Sequence, residues 1–219
     1  MIRVVLIDDH ELVRTGFRMI LSQQRDIEVV GEAADGDKGL AMIRALNPDV
    51  ALVDVHMPGV SGMEVTERVR KLKLETRIVI VTMVTEAPFP RRLLEAGASG
   101  YVTKACPAED LLRAIRQVAN GRRYLAPGVA ESMALSALQG FSDSPFDALS
   151  VRELEVAMLL AQGQTMNSIA IRLNLSAKTV ATYKYRLFDK LDIDNPVTLA
   201  HMAHVHGLLD TQGMTPALA

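Results

Sequence analysis

The chain is poor in several residue types, and each shortage excludes a class of protein. It has 219 residues with one cysteine, no tryptophan and 4% aromatic residues. A single cysteine, Cys106, cannot build an internal disulfide framework, so we predict a protein of a reducing compartment, the cytoplasm. No apolar run approaches the roughly 20 residues that span a bilayer. Because Met1 leads almost directly into a predicted strand, we expect no signal peptide.

The chain also lacks an excess of positive charge. Residues 1–120 carry 16 basic and 17 acidic side chains, and residues 149–219 carry six of each. Neither part has the general basic character of a nucleic-acid binder. Four basic residues are instead concentrated in one short segment: Lys178, Lys184, Arg186 and Lys190. Any nucleic-acid contact should therefore be local.

Short runs of Val and Ile in the first part of the chain are typical of parallel strands buried on both faces. We expect five strands, at Arg3–Ile7, Ile27–Val30, Val50–Val53, Ile78–Val81 and Gly100–Thr103. Five helical patterns alternate with them, at Leu12–Leu21, Gly39–Leu46, Met63–Leu72, Phe89–Ala96 and Ala108–Val118. This alternation predicts an α/β domain over residues 1–120, with a doubly wound five-stranded parallel sheet.

The pattern changes after residue 120. Residues 121–148 are rich in Gly, Pro and Ser and predict a linker with one helical segment at Gly128–Leu138. Strand patterns are absent from residue 149 onward. Four short helices are expected, at Val151–Gln162, Met166–Leu173, Ala177–Leu191 and Val197–Leu208. Residues 149–219 are therefore predicted to form a small all-α domain.

Polar side chains follow four of the predicted strands at their carboxyl ends. They are Asp8 and Asp9, Asp54, Thr82 and Lys104. Because open parallel sheets place their sites beyond these strand ends, the side chains should converge. The three carboxylates, with the backbone carbonyl of His56, offer the oxygen ligands that Mg²⁺ prefers. A carboxylate also accepts a phosphoryl group, whose charge the metal and Lys104 would neutralise and whose oxygen the Thr82 hydroxyl would bind.

Here the chain resembles a known family, the receiver domains of two-component response regulators, which have a flavodoxin-like fold. The resemblance is carried by Asp8-Asp9-His10, Asp54 to Gly59, Thr82, and Gly100 to Lys104. It implies that Asp54 accepts phosphate from a sensor histidine kinase and that Asp8 and Asp9 help to bind Mg²⁺. It further implies that Thr82 and Tyr101 form a switch pair and that Lys104 contacts the phosphate. Many receivers have proline directly after this lysine, whereas Ala105 follows here, so no cis peptide bond is predicted.

The third helix of the C-terminal part carries the concentrated basic residues. At helical spacing, Val180, Tyr183, Leu187 and Leu191 are expected to face the core. The rest of the helix suits the major groove and the phosphates of B-DNA, although an ordinary solvated face is the alternative. Tyr183 is a candidate for both faces. The candidate DNA contacts are Lys178, Thr179, Ala181, Thr182, Tyr183, Lys184, Tyr185, Arg186 and Lys190.

A second resemblance concerns this helical part. Leu149 to Glu155 and Ser176 to Val180 resemble the LuxR-type helix-turn-helix of the NarL/FixJ subfamily, with the recognition helix at Ala177–Leu191. With Ala87 to Leu94, Ser144 to Ser150 and Tyr183 to Arg186, the chain is similar to the GacA/UvrY/SirA group of response regulators. That similarity implies a transcription regulator rather than an enzyme. It would be phosphorylated by a membrane-bound hybrid sensor kinase and bind promoters of small regulatory RNAs, as a dimer.

Other functions stay open at this point. A phosphohydrolase with an aspartyl-phosphate intermediate commonly has a second Asp two residues after the nucleophile, and here that residue is His56. A receiver that binds only proteins, with its helical part serving as a dimerisation module, is another alternative. His201, His204 and His206 have a spacing that could hold a transition metal, but a helix end that carries solvated His is the simpler interpretation.

Overall fold

The computed structural model of the protein describes residues 1–57, 59–83, 89–138, 144–173 and 175–206. The pattern of contacts between residues divides the chain into two units, Met1–Leu135 and Ser136–Ala219. Within the described ranges, no helix combines the length and the apolar character needed to cross a membrane.

A parallel six-stranded sheet forms the core of the first unit. Strands β1 to β6 span Ile2–Ile7, Ile27–Ala33, Val50–Val53, Arg77–Thr82, Gly100–Thr103 and Tyr124–Leu125. Their order in the sheet is β2-β1-β3-β4-β5-β6, and every neighbouring pair is parallel. All four residues of the central strand β3 are buried, as expected for a strand covered on both faces. The strand order reverses between β1 and β3, which opens a crevice beyond their carboxyl ends.

The helices of the first unit connect these strands. Helices α1 to α5 span Glu11–Ser22, Gly36–Leu46, Gly62–Lys71, Phe89–Ala96 and Ala108–Ala119. Helices α2 to α5 bury several residues each at helical spacing, as Leu111, Ile115 and Val118 do on α5, and α1 buries Leu21. The predicted doubly wound α/β fold is thus confirmed.

The predicted number of five strands is wrong, because Tyr124–Leu125 forms a sixth strand beside β5. Gly100 pairs with Tyr124, and Tyr101 pairs with Leu125. A strand of two residues is too short to produce a recognisable alternation, and the preceding Gly121, at φ +77°, has the character of a turn. The sheet therefore continues into the segment predicted as a linker. Helix α6, Pro127–Leu138, follows and coincides with the expected helical segment.

The described part of the second unit is helical. A short 3₁₀ turn at Pro145–Ala148 precedes helices α7 to α10, which span Val151–Ala161, Met166–Arg172, Ala177–Leu191 and Pro196–Val205. Fully buried side chains from three of the helices form its core: Leu154, Val180, Leu187 and Leu199. The four predicted helices are all present, and the predicted end of the last one, at Leu208, lies outside the described residues.

Gly62 allows the start of α3 to lie directly against the chain that follows β3. Its backbone N–H donates to the Val55 carbonyl over 3.1 Å, and Ser61 caps the helix in a reciprocal capping box with Glu64. A Cβ atom at position 62 would overlap the carbonyl oxygen of Asp54. The start of α3 therefore packs directly against the backbone around Asp54. No space is left there for a side chain at position 62.

We expect Gly62→Ala to lower the free energy of unfolding by about 3 kcal/mol, since the new methyl group meets backbone rather than a flexible side chain. Gly16→Ala is the matched control, because a Cβ on that helical glycine meets nothing within 4 Å. The control should raise the stability by about 0.5–1 kcal/mol through helix propensity. Urea unfolding of the two variants measures both effects, and equal stabilities would contradict this role of Gly62.

Candidate functional site

The carboxyl ends of β1 and β3 place Asp8 and Asp54 next to each other. The Asp54 N–H donates to the Ile7 carbonyl over 2.8 Å, which continues the pairing of these strands by one residue. Both aspartates are buried, with 4% and 2% exposure. Asp9 follows Asp8 and is half-buried.

The ammonium group of Lys104 lies between the two buried carboxylates. Its Nζ is 2.8 Å from Asp8 Oδ2 and 2.9 Å from Asp54 Oδ2, and its side chain is only 10% exposed. The Lys104 N–H also donates to the Thr82 carbonyl over 2.9 Å, which fixes this residue just beyond β5. Predicted site residues from three strand ends are thus within contact distance.

Burial and opposite charge both shift the pKa values of Asp54 and Lys104. Burial raises the pKa of Asp54 above its ordinary value, and the Asp8 carboxylate adds to this, while Lys104 and His56 oppose it. Burial acts to lower the pKa of Lys104, but Asp54 and Asp8 outweigh it, so that the pKa lies above its usual range. Lys104 is therefore a permanent cation that compensates two buried carboxylates.

The acidic group has the donor set of a divalent-cation site. Ligand atoms of four side chains, Asp8, Asp9, His10 and Asp54, all lie within 4.8 Å of one another. Asp9 Oδ1 is buried and accepts no well-oriented hydrogen bond from the described residues. A carboxylate oxygen buried in this way is a ready metal ligand. The predicted ligand His56 is half-buried, two residues after Asp54.

His10 was absent from the predicted site residues. Its Nδ1 lies 2.8 Å from Asp9 Oδ1 and 3.2 Å from Asp8 Oδ1. The signal was available, because His10 directly follows the two aspartates, but a helix begins there and the direction of its side chain is not readable from sequence. Among the described residues, this group is the one cluster able to hold a metal. His201 and His204 are exposed, and the His206 ring packs edge-on against Phe146 with centroids 6.1 Å apart.

Thr82 and Tyr101 lie on the adjacent strands β4 and β5, and both are fully buried. Tyr101 pairs with Ile80, while Thr82 pairs with Thr103. Because strand side chains alternate between faces, Thr82 and Tyr101 share one face of the sheet as diagonal neighbours.

Helix α9 of the second unit carries all the predicted DNA-contact residues and exposes them to different degrees. Those exposed are Lys178, Thr182, Tyr185, Arg186 and Lys190, and those half-buried are Thr179, Ala181, Tyr183 and Lys184. Tyr185 stands out, with 75% of its surface exposed. Val180, Leu187 and Leu191 are buried as expected, whereas Tyr183 is only half-buried at the margin of that face.

Two of the predicted DNA-contact cations have partners within the second unit. Lys184 Nζ lies 5.3 Å from the centre of the Phe188 ring, within range of a cation–π contact. Lys190 Nζ donates to Glu153 Oε2 over 2.7 Å. Glu153 also accepts from the Ser150 N–H over 2.7 Å in the capping box of α7. The Ser150-x-x-Glu153 spacing signals the capping box in the sequence, but nothing there signals the ion pair with α9.

The ion pair between Glu153 and Lys190 makes the stability of the second unit depend on pH. Burial alone would raise the pKa of Glu153, but Lys190 and Ser150 outweigh burial and hold it below the ordinary 4.5. A lowered pKa means that the ionised form is favoured by folding. The stabilisation is therefore complete above about pH 4.5 and disappears as the pH falls through the folded-state pKa.

We expect Glu153→Gln to lower the free energy of unfolding at pH 7 by about 1 kcal/mol, since glutamine retains the capping box but loses the charge. The difference from the unmodified protein should vanish in acid. Urea titrations that are monitored through the NMR signals of α7 and α9 measure this difference in the free energy of unfolding. Glu67→Gln, which removes a partly exposed carboxylate 3.6 Å from Lys71, should change stability by less than about 0.5 kcal/mol. A pH-independent difference for Glu153→Gln would contradict this account.

Comparison with known proteins agrees with the two units seen in the structure. Residues 4–116 match the family model of the response regulator receiver domain. Residues 147–203 match the model of the bacterial regulatory proteins of the luxR family. The chain is a LuxR-type response regulator.

Relatives of this response regulator match over nearly its whole length. The response regulator GacA of Pseudomonas aeruginosa is 46% identical over 211 residues, which are 96% of this chain and 99% of that protein. The response regulator UvrY of Escherichia coli O6:H1 is 43% identical over 216 residues, or 98% and 99% of the two chains. The solved structure of an RcsB–DNA complex has a TM-score of 0.59 at 26% identity and covers 93% of this chain and 98% of that one.

Family membership decides between the functions left open by the sequence. This response regulator is a phosphorylation-controlled transcription regulator and not an enzyme, as predicted. The phosphohydrolase alternative is thereby excluded. The resemblance to the GacA/UvrY group is confirmed.

Proposed function

We propose that the acidic group is the phosphorylation site of this response regulator and that Asp54 is the phosphoacceptor for a sensor histidine kinase. The observation that carries the proposal is the buried Asp54 carboxylate with Lys104 Nζ at 2.9 Å. A carboxylate oxygen of Asp54 attacks the phosphorus of the kinase's phosphohistidine, and the bond from phosphorus to the imidazole nitrogen breaks. Lys104 remains as a cation beside the oxygens of the transferred group.

The side chains around Asp54 also fit Mg²⁺, which prefers oxygen ligands. Asp8, Asp9 and Asp54 would hold the ion, together with the backbone carbonyl of His56. When bound, Mg²⁺ neutralises the negative charge of the phosphoryl oxygens during transfer. The buried Asp9 Oδ1, which lacks a well-oriented hydrogen bond within the described residues, supports this assignment.

Phosphorylation adds charge and acceptor oxygens to Asp54, and the neighbouring strands can respond. We assign Thr82 and Lys104 to the phosphate, since Lys104 Nζ is 2.9 Å from Asp54 Oδ2 and Thr82 ends β4, the strand beside β3. Tyr101 completes the switch as the diagonal neighbour of Thr82. Movement of this pair would remodel the face formed by α4 and α5 and so promote a symmetric dimer.

Promoter DNA is the proposed ligand of the second unit, with α9 in the major groove. The exposed side chains of Lys178, Thr182, Tyr185 and Arg186 support this placement, as does the likeness to the RcsB–DNA complex. Thr179, Ala181, Tyr183 and Lys184 would contribute from the half-buried margins. Lys190 is bound to Glu153, so a phosphate contact would require it to exchange partners.

We further propose a cytoplasmic protein of three segments: a receiver domain at 1–120, a linker at 121–148 and a DNA-binding domain at 149–219. The family models, at 4–116 and 147–203, support the two domains. Strand β6 attaches the beginning of the linker to the receiver sheet, beside β5.

The proposed site predicts a strict requirement for a divalent cation. We expect acetyl phosphate to label the protein when Mg²⁺ is present, with an acyl phosphate that is stable in acid and labile in base. Chelation with EDTA should reduce the initial rate at least about a hundredfold, because the phosphoryl charge then lacks its counterion. Excess Mg²⁺ should restore the rate. Labelling that proceeds unchanged in EDTA would contradict the proposed metal site.

A further inference from the structure

The side chain of His10 has no part in the proposed phosphoryl transfer, yet it points at the site. His10 is the residue before α1, at the N-cap position, and makes no side-chain capping bond. Residues at this position usually accept a hydrogen bond from the first turn of the helix. The imidazole instead lies against two carboxylates of the acidic group, with Nδ1 2.8 Å from Asp9 Oδ1 and 3.2 Å from Asp8 Oδ1.

The backbone holds His10 in this position independently of the ring. The His10 N–H donates to Asp8 Oδ1 over 2.8 Å. The guanidinium of Arg14 donates to the Asp8 carbonyl over 2.6 Å, which ties α1 to the same segment. The ring itself is 63% exposed, so Nδ1 can exchange its contact with Asp9 for another without disturbing the core.

The spacing of these atoms suits neighbouring ligands of one metal ion. Ligands that lie about 2.1 Å from an octahedral ion are about 3 Å apart when they are neighbours and about 4 Å apart when they are opposite. The two distances from Nδ1 match neighbouring ligands, and one ligand atom from each of the four residues lies within 4.8 Å of the others. Mg²⁺ prefers oxygen, whereas Co²⁺ and Zn²⁺ readily accept imidazole nitrogen.

We propose that His10 is an additional metal ligand, so that the acidic group binds imidazole-accepting divalent cations such as Co²⁺ and Zn²⁺ through a mixed oxygen and nitrogen set. Mg²⁺ would use the three carboxylates and the His56 carbonyl and would not coordinate His10. The inference rests on the proposed metal site and extends its range of ions. His10, which takes no part in phosphoryl transfer, would then make the phosphorylation site selective among divalent cations.

Metal titration of the full-length protein tests the selectivity. Calorimetry with Co²⁺ alone and with Mg²⁺ alone would compare the unmodified protein, His10→Gln, and His201→Gln as a matched control on an exposed histidine. We expect His10→Gln to weaken Co²⁺ binding at least about tenfold and Mg²⁺ binding less than about twofold. The control should bind both ions as the unmodified protein does.

A spectroscopic measurement reports ligation directly, whatever the affinities. With one equivalent of Co²⁺, a coordinated imidazole gives a strongly shifted ring N–H signal in the ¹H NMR spectrum that exchanges with solvent. We expect that signal in the unmodified protein and in His201→Gln, and its loss in His10→Gln. Equal weakening of both ions, or persistence of the signal in His10→Gln, would overturn the inference and leave the Mg²⁺ site standing. Failure of Mg²⁺ to bind the unmodified protein would overturn the proposed site itself.

Discussion

The Asp54→Asn variant is expected to incorporate no phosphoryl group from acetyl phosphate and Mg²⁺, with an initial rate lower by roughly four orders of magnitude or more. The amide oxygen of asparagine is a far weaker nucleophile than a carboxylate oxygen and cannot form a stable acyl phosphate. The fold should persist, since the side chains have the same shape and Lys104 retains Asp8 at 2.8 Å. Quantitative labelling with radioactive phosphate measures the loss.

Asp37→Asn provides the matched control for this experiment. Asp37 is an exposed carboxylate of the same unit, on α2, and lies 3.6 Å from Arg68. The control loses the same charge without touching the acidic group, so it should be labelled at the rate of the unmodified protein. Labelling of Asp54→Asn at that rate would show that the acceptor lies elsewhere.

The second large effect is expected at α9. We predict that the double variant Lys178→Ala/Arg186→Ala binds promoter DNA about a hundredfold more weakly, and that the slope of log affinity against log salt falls by about two. Both side chains are exposed, and neither has an ion-pair partner within the described ranges of the second unit. Each is therefore available for a phosphate. Fluorescence anisotropy with labelled DNA at several salt concentrations measures both quantities.

A control variant that loses two cations from the receiver distinguishes a local contact at α9 from an effect of net charge on DNA binding. Arg68→Ala/Lys71→Ala takes the same charge from α3, where both residues belong to exposed ion pairs at 3.6 Å. The salt slope of this control should stay within about 0.3 of the unmodified protein's value. Equal losses in the two double variants would mean that net charge, rather than the face of α9, governs binding.

The arrangement of the acidic group was predictable because each of its carboxylates comes from a strand end. A parallel sheet brings consecutive strand ends to one edge, so the positions of Asp8, Asp54 and Lys104 along the chain determine their proximity. The helices of the second unit were predictable for a similar reason. Ser150, Ser176 and Pro196 mark three helix starts within one or two residues.

Other features depend on side-chain direction or long-range pairing, which periodicity does not encode. The two-residue strand β6 exists only because β5 offers a free edge. The contact of His10 with Asp9 depends on the rotation of one ring at a helix start. Lys190 has the same charge and helical setting as Lys178, and only the packing of α7 against α9 shows that it pairs with Glu153.

Chemical mapping of the phosphoryl group tests the central claim most directly. Borohydride reduces an aspartyl phosphate to homoserine, so the full-length protein would be labelled with acetyl phosphate and Mg²⁺, reduced, digested and sequenced by mass spectrometry. The account predicts homoserine at position 54 and nowhere else in the chain. Homoserine at position 8 or 9, or none in a fully labelled sample, would contradict it.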